Sequence, residues 1–341
     1  MRAAIYNPYL DSLGGGERYS MAVATVLTKS GYRVDIEWPD QKISEKLEDR
    51  FGIDLSGVNF VSSINRGESY DICFWVSDGS IPSLKARKNF IHFQIPFHNI
   101  KVNTLLTRLK LFRVSKIICN SYFTKRFIDN SFKVESVVIY PPVPIEKIKP
   151  GRKENIILSV GRFSQLDRSK RQDLLVEAFK KIFDSGYRDW KLILAGGSDV
   201  GVGDYIKKLE KLSVGYPIKI FKKLSFKDLK KLYAASKIFW SASGFGINEE
   251  KEPEKVEHFG IAVVEAMASG CIPFAFAGGG HKEIIKEGVN GFFWRNISEL
   301  VKKTQKVIDE LKTERKISRQ AVADSQKYSY ERFEKEFLNL I

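Results

Sequence analysis

The feature that most constrains this chain is an alternation that runs, stops and runs again. Short runs rich in Val, Ile, Phe and Tyr recur at 2–7, 33–38, 58–62, 71–76, 89–94, 116–120 and 136–140. Between them lie helix-length amphipathic segments at 17–29, 44–51, 102–113 and 122–129. Parallel strands need a crossover long enough to hold a helix, so this order predicts βαβ units and parallel sheets. Pro141, Pro142, Pro144 and Pro150 then break the pattern. Proline fixes φ and removes a backbone donor, which marks the segment as a linker. The alternation resumes with strands predicted at 155–160, 191–195, 218–221, 237–241, 271–276 and 291–294, and helices at 171–183, 205–212, 226–235, 260–269 and 282–287. From 297 onward the pattern is helical only.

A length of 341 residues exceeds what one hydrophobic core usually organises. The expectation is an α/β chain of two doubly wound, Rossmann-like domains, 1–150 and 151–327, with a final helix, 328–341, available to pack back on the first. Doubly wound sheets bind ligands beyond the carboxyl ends of their strands, so two facing sheets would place a cleft between the domains.

Charge narrows the partners. The net charge of +15 favours something anionic: a nucleotide, a phospholipid surface, a pyrophosphate-linked acceptor or nucleic acid. A generally lysine-rich proteome is the competing explanation. No nucleic-acid motif and no basic groove interleaved with aromatics accompanies the charge. Cys73, Cys119 and Cys271 each lie in an apolar run, which predicts buried thiols in a reducing compartment rather than disulfides. Neither they nor the four histidines have metal-ligand spacing. The first ten residues lack the apolar core of a signal peptide, and the uncharged stretch 266–280 is too short to span a bilayer and holds Pro273 and four glycines. The expected location is cytoplasmic, with peripheral contact at a membrane's inner face open. The contact would run through 101–126, which holds seven basic residues and no acid. There Val102, Leu105, Leu106, Leu109 and Phe112 share one helical arc flanked by Lys101, Arg108, Lys110 and Arg113. That pattern fits an interfacial helix, but an ordinary amphipathic helix packed on its own sheet is the preferred reading, since every doubly wound domain needs such helices.

The strongest local feature is the run from Glu257 through His258, Phe259, Gly260, Ile261, Ala262, Val263 and Val264 to Glu265. A helix beginning near Gly260 points its first amides at whatever lies above its start, which suits a phosphate. Glu257 would then sit in the preceding loop and Glu265 more than a turn inside. An acid among Ile, Val, Ala and Met is expected to be buried and paired. A nucleotide sugar carries hydroxyls on both sides of its diphosphate, within reach of two such carboxylates. Arg162 follows the strand at 155–160, and Lys170 precedes the next helix. Fixed cations at a strand end suit a diphosphate leaving group. Arg168 and Arg171 read instead as basic loop residues.

Gly14, Gly15 and Gly16 follow the first strand but lack the third glycine of a dinucleotide fingerprint, and no acid ends the second strand in the way that fingerprint requires. The turn still lets backbone approach a ligand. His92, near the end of the strand at 89–94, divides evenly between a core and a functional role. Gly278-Gly279-Gly280-His281 is either a turn touching a ligand or a loop under packing constraint.

Together these residues resemble glycosyltransferase family 4, with the GT-B fold, over nearly the whole chain. Glu257 and Glu265 match that family's Glu-x7-Glu element, Arg162 and Lys170 its basic pair, and Gly14 to Gly16 its first-domain turn. Asn7-Pro8-Tyr9 and the residues around Glu257 resemble the alpha-mannosyltransferases that extend dolichol-linked oligosaccharides, and their prokaryotic relatives. The acidic stretch 248–256 is particular to this chain or its subgroup. The resemblance implies retaining transfer of a hexose from a nucleoside-diphosphate sugar, GDP-mannose or UDP-hexose, to a lipid-linked or glycan acceptor. It implies no cofactor and no essential metal. Arg162 and Lys170 would steady the departing diphosphate, Glu257 the sugar hydroxyls and Glu265 the ribose. The backbone at Phe259, Gly260 and Ile261 would face sugar and phosphate, His92 would lie near the reacting sugar, and the loop ending at Leu224 near the base. Two other readings stay open: a basic nucleic-acid-binding protein, and a non-catalytic subunit that binds a nucleotide sugar.

Overall fold

The computed structural model describes residues 1–98, 104–164, 170–197 and 203–341. Two compact units divide these residues. The first is Met1–Pro142 with Tyr330–Ile341, and the second is Val143–Ser329.

The first unit holds strands β1 (Arg2–Tyr6), β2 (Arg33–Glu37), β3 (Val58–Val61), β4 (Ile72–Val76), β5 (Lys88–Phe93), β6 (Lys116–Cys119) and β7 (Val137–Val138). Its helices in this stretch are α1 (Gly15–Lys29), α2 (Ile43–Phe51), α3 (Leu105–Phe112) and α4 (Tyr122–Phe132). The sheet is parallel, in the order β3-β2-β1-β4-β5-β6-β7. Central strands of such a sheet are covered on both faces, so β1 and β4 read as continuous apolar runs. β7 pairs over only two residues, fewer than the 136–140 run predicts, because it is an edge strand stopped by Pro141 and Pro142.

In the second unit the strands are β8 (Glu154–Val160), β9 (Lys191–Ala195), β10 (Ile218–Phe221), β11 (Ser236–Ser241), β12 (Ile272–Phe276) and β13 (Phe292–Trp294). The helices continue with α5 (Gln172–Asp184), α6 (Gly203–Ser213), α7 (Phe226–Ala235), α8 (Ile261–Ala268), α9 (His281–Ile284), α10 (Ile297–Asp309) and α11 (Leu311–Ser325). This sheet is also parallel, ordered β10-β9-β8-β11-β12-β13. α9 is shorter than the predicted 282–287 helix. Ile285 is already extended, and the Lys286 amide donates to the Asn290 side chain at 2.7 Å instead of continuing the ladder.

The last helix, α12 (Tyr330–Leu338), belongs to the first unit. Phe333 and Phe337 are fully buried in its core, where the Phe333 ring meets Tyr19 edge-on at 5.0 Å. Side chains on α3 behave differently. It leans on the first unit through Leu111, while Leu105, Leu106, Leu109 and Phe112 are 76%, 62%, 62% and 91% exposed. The expectation that this arc packs on its own sheet therefore fails, since the inward side of the helix is the opposite one. Lys101 and Val102 lie outside the described residues. No described helix is long and apolar enough to cross a membrane.

Candidate functional site

Each sheet reverses direction of travel once. In the second unit the reversal lies between β8 and β11, and loops leaving neighbouring strands at such a point part to form a crevice. Arg162, Lys170, Glu257, Phe259 and Gly260 lie in the loops after these two strands.

After β8 the chain turns at Gly161, whose amide donates to the Ala195 carbonyl at 2.9 Å, and Phe163 is fully buried. Arg162 between them is exposed at the strand's carboxyl end. Gln172, at the start of α5, fixes this turn from behind. Its Nε2 donates to the carbonyls of Gly161 (3.3 Å) and Arg162 (3.2 Å), and its Oε1 accepts from the Tyr205 hydroxyl at 3.1 Å. Lys170 reaches across to the other loop. Its ammonium donates to Glu257 Oε2 at 2.6 Å and to the hydroxyl of buried Ser243 at 3.3 Å. Burial opposes the charge on Glu257, but the lysine overrides it and holds the carboxyl at about 2, so Glu257 is a carboxylate at neutral pH. Arg171 adopts a left-handed φ of 47° and pairs with Asp173 at 3.2 Å, as a structural loop residue does. Arg168 lies outside the described residues.

α8 starts at Gly260, where φ is 119°. Only glycine adopts that backbone readily, and a Cβ there would also fall 3.2 Å from the buried His281 ring. The amides of Val263 and Val264 bond back to the Gly260 carbonyl, which leaves those of Ile261 and Ala262 without an acceptor inside the helix. No side chain caps this end and its first turn carries no acid. Glu265 is buried deeper on α8 and accepts from the Tyr233 hydroxyl at 3.0 Å. The Phe259 side chain is buried too, edge-on against Tyr328 at 5.3 Å, so only its backbone can face a ligand.

The glycine run 278–280 braces this loop. The Gly280 amide donates to the Glu257 carbonyl at 2.7 Å. A Cβ on Gly279 would fall 2.1 Å from that carbonyl oxygen, and one on Gly280 2.4 Å from the oxygen of His258. Of its two readings, packing constraint is the one the contacts support. From outside, Glu249 in the acidic stretch accepts from the Gly279 amide at 2.7 Å and pairs with Lys282 at 2.5 Å. Burial pushes His281 below its ordinary value, opposed by Glu257, while its Nδ1 sits 3.1 Å from the Phe276 carbonyl.

The remaining predicted residues lie elsewhere. Leu224 is half-buried in the loop after β10, the edge strand two places from β8. Gly14, Gly15 and Gly16 open α1 in the first unit, at that sheet's own reversal beside β1. Glu17 fills the turn, accepting from the Gly14 amide at 2.6 Å and the Ser12 hydroxyl at 2.8 Å. A Cβ on Gly16 would fall 1.7 Å from Gln94 Oε1, so that glycine makes room for a side chain of its own protein. His92, on β5, is fully buried with its ring stacked on Tyr19 at 3.9 Å. Burial pushes its pKa down to about 3, and its Nε2 has no hydrogen-bond partner.

Gln172, Tyr233 and Ser243 escaped the sequence reading. Ser243 had a signal, since it stands two residues beyond a predicted strand next to the reversal. Tyr233 and Gln172 act from helices, where nothing in the local pattern announces a polar contact. Among the described residues no group of three or more His, Cys, Asp or Glu side chains is placed to hold a metal ion.

Two parallel, Rossmann-like sheets with this strand order define a GT-B protein. Over 99% of this chain the fold matches a glycosyltransferase from Rickettsia africae, with a TM-score of 0.77 at 20% identity over 97% of that chain. It matches Anabaena HepE in complex with UDP equally well, at 0.77 and 19% over 99% of both chains. Residues 144–324, more than half of the sequence, match the model of the glycosyl transferases group 1 family, and the chain belongs to that family. Among curated proteins it is similar to the alpha-1,3/1,6-mannosyltransferase ALG2 of Eremothecium gossypii, 28% identical over 59% of this chain and 45% of that one. It is also similar to the sucrose synthase of Melioribacter roseus, 25% identical over 93% and 42%. The chain spans about half the length of the curated relatives it matches.

Proposed function

We propose that this chain is a metal-independent, retaining hexosyltransferase. It takes a mannose- or glucose-type sugar from GDP-mannose or a UDP-hexose and passes it to a lipid-linked or polysaccharide acceptor. One observation carries the reading: the Lys170–Glu257 pair stands beside an uncapped, acid-free helix start at the second sheet's reversal point. A diphosphate at that helix start would meet the amides of Ile261 and Ala262, with Arg162 and Lys170 supplying the positive charge a metal ion otherwise brings. Glu257, ionised and oriented by Lys170, would accept from donor-sugar hydroxyls, and Glu265, steadied by Tyr233, from the ribose. The backbone from Phe259 to Ile261 would line sugar and phosphate, and the Leu224 loop the base. His92 is uncharged but fully buried, and its place near the reacting sugar rests on the family resemblance alone. Three buried, unpaired cysteines suit a reducing cytoplasm. Similarity to a mannosyltransferase and a sucrose synthase supports sugar transfer, and the UDP bound to HepE supports a nucleotide donor.

A melting-temperature panel of UDP-, GDP-, ADP- and TDP-sugars tests the proposal, because a bound donor stabilises by mass action. One donor should raise the melting temperature. Glu257→Ala and Lys170→Ala should each lower turnover of that donor about 100- to 1,000-fold without unfolding the protein. No shift with any nucleotide sugar would sink the reading, and a shift without transfer to any acceptor would leave a binding subunit.

A further inference from the structure

We propose that α3 is an interfacial helix that seats this chain on an anionic lipid surface. The observation is an inversion. Helices of a doubly wound unit turn their apolar side to the sheet, but α3 turns its apolar side away. Leu105, Leu106, Leu109 and Phe112 are spaced to share one arc, and all four are exposed. The contact with the unit's core comes from Leu111 on the opposite side, with Val114 just past the helix end. Thr104 caps the helix, its hydroxyl accepting from the Thr107 amide at 3.2 Å, so the arc belongs to a formed helix.

Charge selects the occupant. Arg108 borders the arc on one side and Lys110 on the other, Arg113 follows at the helix end, and no acid occurs from 104 to 128. A second copy docking face to face would set these cations against one another, because an isologous pair presents the same patch twice. Anionic headgroups accept the same ring of cations while acyl chains take the leucines and the phenylalanine. The whole chain's charge of +15 acts in the same direction. This inference does not depend on the donor site.

Cosedimentation of the full chain with vesicles of phosphatidylcholine, with and without phosphatidylglycerol, tests it. The protein should sediment with the anionic vesicles, and less so as salt rises. Leu109→Ser with Phe112→Ser, at exposed positions and with an unchanged melting temperature, should weaken that binding at least about tenfold. Arg108→Gln with Lys110→Gln should weaken it about fivefold per charge. Phe112→Trp should show blue-shifted emission quenched by lipids brominated in the acyl chain. Failure to sediment with anionic vesicles would overturn the proposal, as would undiminished binding by the serine variant. It would also fall if the arc instead holds two copies together, seen as an oligomer that the serine variant converts to monomer.

Discussion

The two sheets share an order, β3-β2-β1-β4 in the first unit and β10-β9-β8-β11 in the second, and each has a glycine at a helix start beside its reversal point. They treat that helix start in opposite ways. In the first unit Glu17 occupies the start of α1 and Gln94 lies on Gly16, so the protein's own side chains fill the place. In the second, α8 begins at Gly260 with no side-chain cap, and the carboxylate of Glu257, in the loop ahead of it, is held by Lys170. Glycine content does not distinguish the two, and the run 14–16 is the richer one. What differs is whether an acid stands in the helix's first turn, as Glu17 does in α1 and none does in α8. An open anion site is a helix start that the sequence declines to cap.

Substitutions can break this contrast. The largest effect on binding is expected from Gly260→Ala. It forces an L-residue into a φ of 119° and a Cβ toward His281, at a cost of about 2 kcal/mol or more. Calorimetry should show a lower melting temperature, and titration should show lost nucleotide binding. A stable variant that still binds would mean the open helix start is not the site. A pH series comes next. Glu257 is held at about 2 against an ordinary 4.5. Its folded pKa is the lower, so its contribution is fully present above pH 4.5 and is lost as pH falls toward 2. That contribution is on the order of 3 kcal/mol. Denaturant unfolding of the Glu257→Gln variant should lack this part of the acid slope. The smallest effect is expected from Glu17→Ala, which removes a cap and should destabilise by about 1 kcal/mol. Donor affinity should stay within about twofold. A marked gain in affinity would mean that the first unit hides an anion site behind Glu17.

The same contrast explains what was legible in the sequence. β9 falls where the apolar run 191–195 predicts it, since a strand buried on both faces is written as a near-continuous apolar segment, and the edge strand β10 falls at 218–221, where Ile218, Ile220 and Phe221 flank the exposed Lys219. Glu265 was legible because a lone acid in an apolar segment has to find a partner. Which partner was not, since Tyr233 lies on another helix. Lys170 and Glu257 are 87 residues apart, and only the assembled sheet brings them together. The fate of Gly16 depended on Gln94, an unremarked residue after a strand. The outward face of α3 was written in its pattern, but the pattern does not say which way the arc points.

The first unit is not finished by its own stretch of chain. Its core includes Phe333 and Phe337, which the ribosome delivers only after the whole of 143–329 has been made. The second unit is continuous and can fold while synthesis proceeds, whereas the first must wait with Tyr19 and Phe74 uncovered. Order of synthesis and order of completion are therefore reversed. A nascent chain arrested before residue 330 would present a finished second unit beside an open first one, which is the form a chaperone would meet.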